Sequence, residues 1–363
     1  MSTSSEVTIG RNGTVRVRRT LRSPLYTLIS APIVIGLLSI APWVLPAQLS
    51  TTLTNFYILV IMATMWNLLA GYAGMVSIGQ QAFVGLGAYA TLYFALKGIN
   101  PFVTIPLSVL VCALIAVPVN YLLFRLRGGY FSIATWVVAD TAMIVIGTVA
   151  ILGGGTGRLM PGLQNLSPTQ TAHFSYLAAW LVALAVVVGT SLLLRSRLGL
   201  VLSSIRDNEV AARSSGANVR AARRTVFIIA AAGCGAAGAV LTISQPFVQP
   251  TSVFSLQWAA EMLFVSMIGG LGTVEGPIIG SIIFFALQQS LQQQGAWYLI
   301  IFGSVAVVVA LWQPRGIWGA IRDRFHVEIV PVGHWVESSA PPRRWPRRRS
   351  AHEPTVPSES PDA

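Results

Sequence analysis

Long apolar runs separated by short polar segments dominate the chain. They lie near residues 25–46, 53–70, 76–97, 102–124, 130–152, 174–194, 225–245, 257–269, 276–292 and 297–313. Most approach the ~20 residues that an α-helix needs to cross a bilayer. The pattern therefore predicts an all-α polytopic membrane protein with about ten transmembrane helices. The runs at 53–70 and 257–269 are short and abut glycine-rich breaks, so either is also compatible with a re-entrant segment, which leaves eight to ten crossings.

Two glycine-rich segments interrupt the apolar pattern, one in each half of the chain. Residues 66–89 read WNLLAGYAGMVSIGQQAFVGLGAY, and residues 268–280 read IGGLGTVEGPIIG. Broken backbone at membrane depth is tolerated only where protein or a water-filled cavity surrounds it. Paired breaks in two halves indicate a central transport path. The alternative is close helix packing through small residues. Glu275, inside the second break, is expected in a surface turn.

A few polar side chains within the apolar runs are candidates for lining that path. Ser77, Gln80 and Gln81 occupy the first break, and two adjacent glutamines are costly in a purely packed interface. Asp140 and Glu261 place carboxylates at membrane depth, where a charge is expensive unless it faces a cavity or a partner. For Asp140, a helix-packing hydrogen bond or a protonated carboxyl remains an equal alternative.

The composition and the placement of charge support the membrane assignment. Hydrophobic residues make up 54% and charged residues 10% of the chain, against about 25% charged in soluble proteins, and the mean hydropathy is +0.67. The net charge is +12. Apart from Lys97 and Arg158, the basic residues fall in four blocks, at 11–22, 125–127, 195–224 and 315–349. The positive-inside rule places all four blocks and both termini in the cytoplasm, which argues against nucleic acid as their partner.

The same pattern divides the chain into three regions. Residues 1–24 form a cytoplasmic basic N-terminus, and residues 25–313 form the transmembrane permease domain with a cytoplasmic loop at 195–224. Residues 314–363 mix prolines with an arginine cluster. Such a composition cannot build a core, so we expect a solvated, disordered tail. The alternative is a tail whose arginines contact anionic membrane lipid.

Sequence features of catalysis and of metal binding are missing. The one lysine, Lys97, is not part of a GxxxxGK[ST] loop, so we expect no ATP hydrolysis by this chain. The cysteines, Cys112 and Cys234, form no CxxC motif, and the histidines lie in loops or the tail. We therefore expect no catalytic residue, no bound metal and no cofactor.

The cytoplasmic segment 204–224, SIRDNEVAARSSGANVRAARR, predicts a short helix between two crossings. Asp207 or Asn208 can cap it, Glu209 favours its first turn, and Gly216 ends it before a basic helix that enters the next span. Such a helix suits a docking surface. The alternative is an interfacial helix that lies on lipid.

Five motifs in this order resemble the larger (M-type) permease subunit of the branched-chain amino acid ABC importer family. They are the two glycine-rich segments, LRGGYFSIATWVVAD at 126–140, GGGTGRLMPGL at 153–163, and IRDNEVAARSSGANV at 205–219. The resemblance spans about residues 67–280. It implies a non-catalytic permease of the bacterial inner membrane that imports branched-chain or other hydrophobic amino acids. Similar permeases serve urea or short amides, an ion-coupled secondary transporter is the runner-up from another class, and a membrane scaffold is a third class.

The resemblance also implies partners and a coupling loop. The partners would be a second homologous permease in a heterodimer, two cytoplasmic ATPase subunits, and a periplasmic or lipid-anchored substrate-binding protein. ABC permeases insert into the ATPase a loop that commonly reads E-A-A followed by glycine, although here Val210 interrupts the motif and no I-x-L-P follows. The implied coupling residues are Arg206, Asp207, Asn208, Glu209, Ala211, Ala212 and Gly216. Asp140 stands where the family often has glutamate, and the sequence does not specify the solute.

Overall fold

The computed structural model describes most of the chain, with gaps near both ends and at a few internal positions. The described residues are 5–9, 13–18, 38–39, 42–43, 46–126, 128–163, 167–291, 297–312, 316–325 and 335–338. They belong to two compact units, one within residues 25–332 and the other within residues 1–24 and 333–363. The first predicted membrane helix, near 25–46, lies almost entirely outside the described residues.

The unit within residues 25–332 is built almost wholly of helices. The helices are α1 (Ala47–Asn67), α2 (Gln81–Leu96), α3 (Thr104–Leu123), α4 (Gly129–Thr148), α5 (Pro168–Arg195), α6 (Arg197–Asp207), α7 (Glu209–Ser214), α8 (Val219–Ser244), α9 (Pro250–Val253), α10 (Leu256–Gly269), α11 (Gly276–Leu291), α12 (Trp297–Trp312) and α13 (Gly316–Phe325). The strands of the chain are β1 (Ser5–Ile9), β2 (Gly13–Arg18), β3 (Arg158–Leu159), β4 (Phe247–Val248) and β5 (Trp335–Ser338). Strands β3 and β4 pair antiparallel.

Within the described residues, six helical segments are long and apolar enough to cross a membrane. They are α1 with its continuation to Tyr72, α3, α4, α5, α8, and Pro250–Gly269, which joins α9 and α10. Helices α2 and α11 are shorter apolar helices, and α12 is a 16-residue apolar helix. The prediction of an all-α polytopic membrane protein is therefore confirmed.

Local sequence signals set several helix boundaries. Ser167 and Gln170 form a capping box at the start of α5, with Pro168 at the first helical position; this satisfies amide groups that a helix start leaves free. The predicted limits of two runs were wrong, one because its helix begins directly after the extended Pro46 and the other because the glycine-rich break extends to residue 80. The run predicted at 53–70 begins at Ala47 and its helical path reaches Tyr72, so it is one of the long spans. The run predicted at 76–97 becomes helical only at Gln81.

Helices α1 and α8 form the centre of this unit. In each, 83% of the most apolar window is buried, against 22% in α3 and 17% in α4, which lie at the periphery. Helix α8 packs on α1, α2, α3 and α5, and α1 also contacts α10 and α11. Glycines let α2 and α8 approach until their backbones meet, since a Cβ on Gly87 would lie 2.1 Å from the carbonyl oxygen of Gly235. A Cβ on Gly238 would lie 1.9 Å from that of Val84. Small residues are typical of such membrane-helix contacts.

The second unit contains a three-stranded antiparallel sheet in the order β1-β2-β5. Val15 pairs with Val7, and Val17 pairs with Val336. Helix α13 and strand β5 lie within residues 314–363, for which the sequence predicts a disordered tail. The other tail residues lie outside the described part of the chain, so the expected disorder and the division into regions stay predictions.

Candidate translocation and coupling sites

The first glycine-rich segment leaves the α-helix at the end of α1. Leu68–Tyr72 continues α1 as a π-helix, and the chain from 73 to 80 is not helical. The indole N–H of Trp66 donates to the carbonyl oxygen of Ser77 at 2.7 Å. The amide of Ile78 donates to the hydroxyl of Thr135, on α4, at 3.2 Å. These bonds satisfy backbone groups that the break frees, so protein surrounds the break.

Three of the predicted path residues lie together in this break and are fully enclosed. Ser77 is 1% exposed, and Gln80 and Gln81 are 0% exposed. The Ser77 hydroxyl lies 3.5 Å from Nε2 of Gln80. Oε1 of Gln80 and both polar side-chain atoms of Gln81 have no hydrogen-bond partner among the described residues. A buried amide without a partner costs ~1–3 kcal/mol. Packing alone gives no reason to keep two such side chains here.

The two predicted carboxylates lie on other helices. Glu261, on α10, is buried, and its Oε1 accepts a hydrogen bond from Nε2 of Gln257 at 2.8 Å. Asp140 lies on α4 and is partly exposed. Among the described residues, no hydrogen bond joins either carboxylate to Ser77 or Gln80. The proposed path therefore has a compact polar group at the first break, with the carboxylates apart from it.

Asn67 connects the two glycine-rich breaks. Its Nδ2 donates to the carbonyl oxygen of Thr273 at 2.7 Å, and its Oδ1 accepts the amide of Gly272 at 2.8 Å. Asn67 is 2% exposed and ends α1. Both of its polar groups are thus satisfied by the turn between α10 and α11, and one side chain holds the two breaks together.

The second break depends on backbone that only glycine adopts easily. Gly270 and Gly272 have φ of 132° and 75°, which side chains of L-residues disfavour. A Cβ on Gly71 would lie 2.4 Å from the amide nitrogen of Gly272, so the two breaks touch through their backbones. Glu275, expected in a surface turn, is only 9% exposed. That expectation was wrong because the turn packs against α1 instead of projecting from the protein.

The basic segment predicted at 195–224 folds mainly into two short helices, α6 and α7, before α8 begins. The prediction of a cap at Asp207 or Asn208 is settled in favour of Asn208, because its Oδ1 accepts the amides of Val210 and Ala211 at 3.0 and 3.1 Å. Asp207 ends α6 instead. Helix α7 stops at a left-handed Gly216, with φ of 83°.

Helix α7 presents one face to the protein and one to solvent. Ala212 is 3% exposed and packs inward, whereas Val210 is 74% exposed. Ala211 and Gly216 are also exposed. Val210 is thus an apolar side chain on the exposed face of a short, capped helix.

Glu209 connects α7 to the start of α8 through an ion pair. Its Oε2 lies 2.9 Å from Nη2 of Arg223, and its Oε1 pairs with Arg213 one turn along α7. Desolvation by burial pushes the pKa of Glu209 upward, but the hydrogen bonds and charges of Arg223 and Arg213 outweigh it. The pKa of Glu209 therefore lies below its ordinary value, and the carboxylate is ionised at neutral pH.

Two arginines, one at the end of α6 and one at the start of α8, reach the glycine-rich breaks. Nη1 of Arg206 donates to the carbonyl oxygen of Gly272 at 3.2 Å, and its guanidinium carbon lies 5.9 Å from the centre of the Tyr72 ring. Nε of Arg223 donates to the carbonyl oxygen of Ala73 at 3.0 Å. The segment that carries α7 is therefore bonded directly to both breaks.

The sequence analysis missed Asn67 and Arg223 as connecting residues. Asn67 is one polar residue at the end of a long apolar run, and Arg223 is one arginine in a basic block. The available signal for Asn67 was an amide directly before the first glycines. Its partners, about 200 residues away, were not visible in the sequence.

The fold and the sites define a multi-pass membrane protein with a permease architecture, in which broken helices surround a buried polar centre. The family described as "Branched-chain amino acid transport system / permease component" matches residues 48–310. The chain belongs to this family.

Two relatives carry the same printed name, "High-affinity branched-chain amino acid transport system permease protein LivM". The one from Escherichia coli (strain K12) is 27% identical over 307 residues, covering 76% of this chain and 71% of the relative. The one from Salmonella typhimurium (strain LT2) is 26% identical with the same coverage. No solved structure matches the chain.

Proposed function

We propose that this chain is the non-catalytic permease subunit of an ABC importer that moves branched-chain or other hydrophobic amino acids into the cytoplasm. It would work with a second homologous permease, two ATPase subunits, and a periplasmic or lipid-anchored substrate-binding protein. The complex would lie in the bacterial inner membrane, with both termini of this chain in the cytoplasm. Family membership and the names of the two relatives support the substrate class.

The observation that carries this proposal is the bonding of the cytoplasmic helices to the glycine-rich breaks. A partner that displaces α7 would pull on Arg223, which bonds Ala73, and through α6 on Arg206, which bonds Gly272. Movement of an ATPase on nucleotide binding would thus be transmitted to Ala73, which lies a few residues before the buried glutamines. An ion-coupled carrier would not need a docking helix of this kind.

In the path, Ser77, Gln80 and Gln81 would contact the polar groups of the solute when the bundle opens. Glu261 and Asp140 would line further parts of the path. In the coupling loop, the exposed face of α7 would contact the ATPase, with Arg206, Asp207, Asn208, Glu209, Ala211, Ala212 and Gly216 shaping it.

The test separates the path from the coupling loop in the reconstituted full complex. Replacing both Gln80 and Gln81 with leucine removes polar atoms without partners, so we expect unchanged or higher thermal stability and intact ATPase association, but lower leucine uptake in proteoliposomes. Glu209→Lys and Gly216→Pro act on α7 and should instead weaken ATPase co-purification or uncouple hydrolysis from uptake.

Two results would contradict this assignment. Undiminished uptake in the double leucine variant would indicate that the first break is a packing contact and does not line the path. Normal association and coupling in both α7 variants would remove the argument for ATPase docking. A solute panel of leucine, isoleucine, valine, urea and acetamide, each with and without ATP, distinguishes the amino acid importer from an amide permease and from an ion-coupled carrier.

A further inference from the structure

A large basic cleft opens beside the coupling loop, between the end of α3 and the starts of α4 and α8. Its volume is about 1030 Å³. The arginines that line it are Arg125, Arg213, Arg220, Arg223 and Arg224, and Glu209 is the one carboxylate among its lining residues. Because Glu209 already pairs with Arg213 and Arg223, the cleft keeps a strong positive charge.

Two of these arginines contact the same aromatic ring. The guanidinium carbons of Arg125 and Arg224 lie 5.7 and 5.8 Å from the centre of the Tyr121 ring. Such cation–π contacts orient a guanidinium but leave its N–H donors free. No salt bridge within the described residues joins either arginine to a carboxylate. Two neighbouring cations with free donors form a site for an anion with several acceptor oxygens.

An apolar groove continues from the same two side chains. Its volume is about 460 Å³, and it is lined by Tyr121, Arg224, Val117, Pro118, Asn120 and Ile228. It runs along the outward face of α3, where Leu114 and Val117 are 62% and 52% exposed. Helix α3 is a peripheral span, and an exposed apolar face at membrane depth suits contact with lipid acyl chains.

We propose that the cleft and the groove together bind one anionic phospholipid. Its phosphate would accept hydrogen bonds from Arg125 and Arg224, and an acyl chain would lie in the groove beside Val117 and Ile228. Basic pockets between helices at the cytoplasmic side of a membrane favour such headgroups. A free phosphate or an acidic peptide would satisfy the arginines but leave the groove unused, which is why the lipid fits better.

Binding is measured by native mass spectrometry of the full chain in detergent, titrated with phosphatidylglycerol or with phosphatidylcholine of the same acyl chains. We expect the wild type to prefer phosphatidylglycerol. The variant with both Arg125→Gln and Arg224→Gln should lose roughly tenfold or more in affinity for phosphatidylglycerol, with little change for phosphatidylcholine. Arg195→Gln is the matched control, since Arg195 is an exposed cytoplasmic arginine outside the cleft, and it should keep the preference.

A second variant tests the acyl groove without touching the charges. Val117→Trp fills the groove at an exposed position and should weaken lipid binding while circular dichroism and thermal melting stay close to wild type. Equal binding of the two lipids by the wild type would overturn the proposal. So would displacement of phosphatidylglycerol by an equal concentration of inorganic phosphate or of a polyglutamate peptide, because the groove would then add nothing to the affinity of the headgroup site.

Discussion

The side chain of Asn67 and the guanidinium of Arg206 both bind Gly272. Oδ1 of Asn67 accepts its amide at 2.8 Å, and Nη1 of Arg206 donates to its carbonyl oxygen at 3.2 Å. The tip of the second break is thus bonded to the end of α1 through its amide and to the end of α6 through its carbonyl oxygen. Movement of either side changes the strain on the same residue.

Asn67→Ala should destabilise the protein by about 1–3 kcal/mol, because it leaves a buried amide of Gly272 and a carbonyl of Thr273 without partners. The thermal unfolding midpoint in detergent should fall accordingly. Asn100→Ala is the control, since Oδ1 of Asn100 also accepts a backbone amide, that of Phe102, but at an exposed position. An unchanged unfolding midpoint in Asn67→Ala would show that the bonds of Asn67 between the two breaks do not stabilise the protein.

Arg206→Ala and Asn67→Ala should not act additively. Residues that share a partner show interaction energies of ~0.5–3 kcal/mol in double-mutant cycles, and these two share Gly272. The cycle is measured by thermal or chemical unfolding of the four proteins. Strict additivity, within measurement error, would mean that the loop and the bundle hold the turn independently.

Gly79→Ala should be poorly tolerated, because its Cβ would lie 1.9 Å from the carbonyl oxygen of Thr135. Forcing α4 away is an overpacking change, which costs about 1–3 kcal/mol, and folded yield and unfolding midpoint should both fall. Gly189→Ala is the matched control. No atom lies within 4 Å of a Cβ at that exposed position of α5, so the change should be neutral or stabilise the helix by roughly 0.5–1 kcal/mol.

Glu209 should stabilise the folded protein at neutral pH, and this contribution should disappear in acid. Because the pKa of Glu209 is lowered in the folded protein from its ordinary 4.5, its contribution is complete above pH 4.5 and is lost as the pH falls through the folded pKa. The unfolding midpoints of the wild type and of Glu209→Gln should therefore differ at neutral pH and converge in acid. A difference that persists or grows in acid would contradict the pairing with Arg223.

Local sequence signals were sufficient where a few neighbouring residues decide the structure. Asn208 caps α7 and Gly216 ends it, because capping and left-handed termination depend on side chains within one turn. The start of α2 was misjudged, since glycine tolerates both helix and turn, and the surrounding contacts choose between them. Thr135 provides such a contact, by bonding the amide of Ile78 from another helix.

The candidate site was only partly predictable for the same reason. Polar residues in an apolar run identified Gln80 and Gln81, and they are buried together. The bonds of Asn67 and Arg223 join residues 205 and 150 positions apart, and the geometry that brings them together exists only after the bundle has packed. Which of the polar residues contact the solute stays a prediction.

The backbone contact between α2 and α8 limits how this protein can change shape. Gly87 contacts Gly235, and Gly238 contacts Val84, directly through the backbone. At these two points no side chain lies between the helices, so no change of rotamer can accommodate sliding of one helix along the other. We therefore expect the two helices to translate and rotate together when the bundle opens. Spectroscopic probes at Tyr93 on α2 and Thr225 on α8, both exposed, would keep a constant separation through the transport cycle. The distance between these two probes would serve as an internal reference for measuring the displacement of α7.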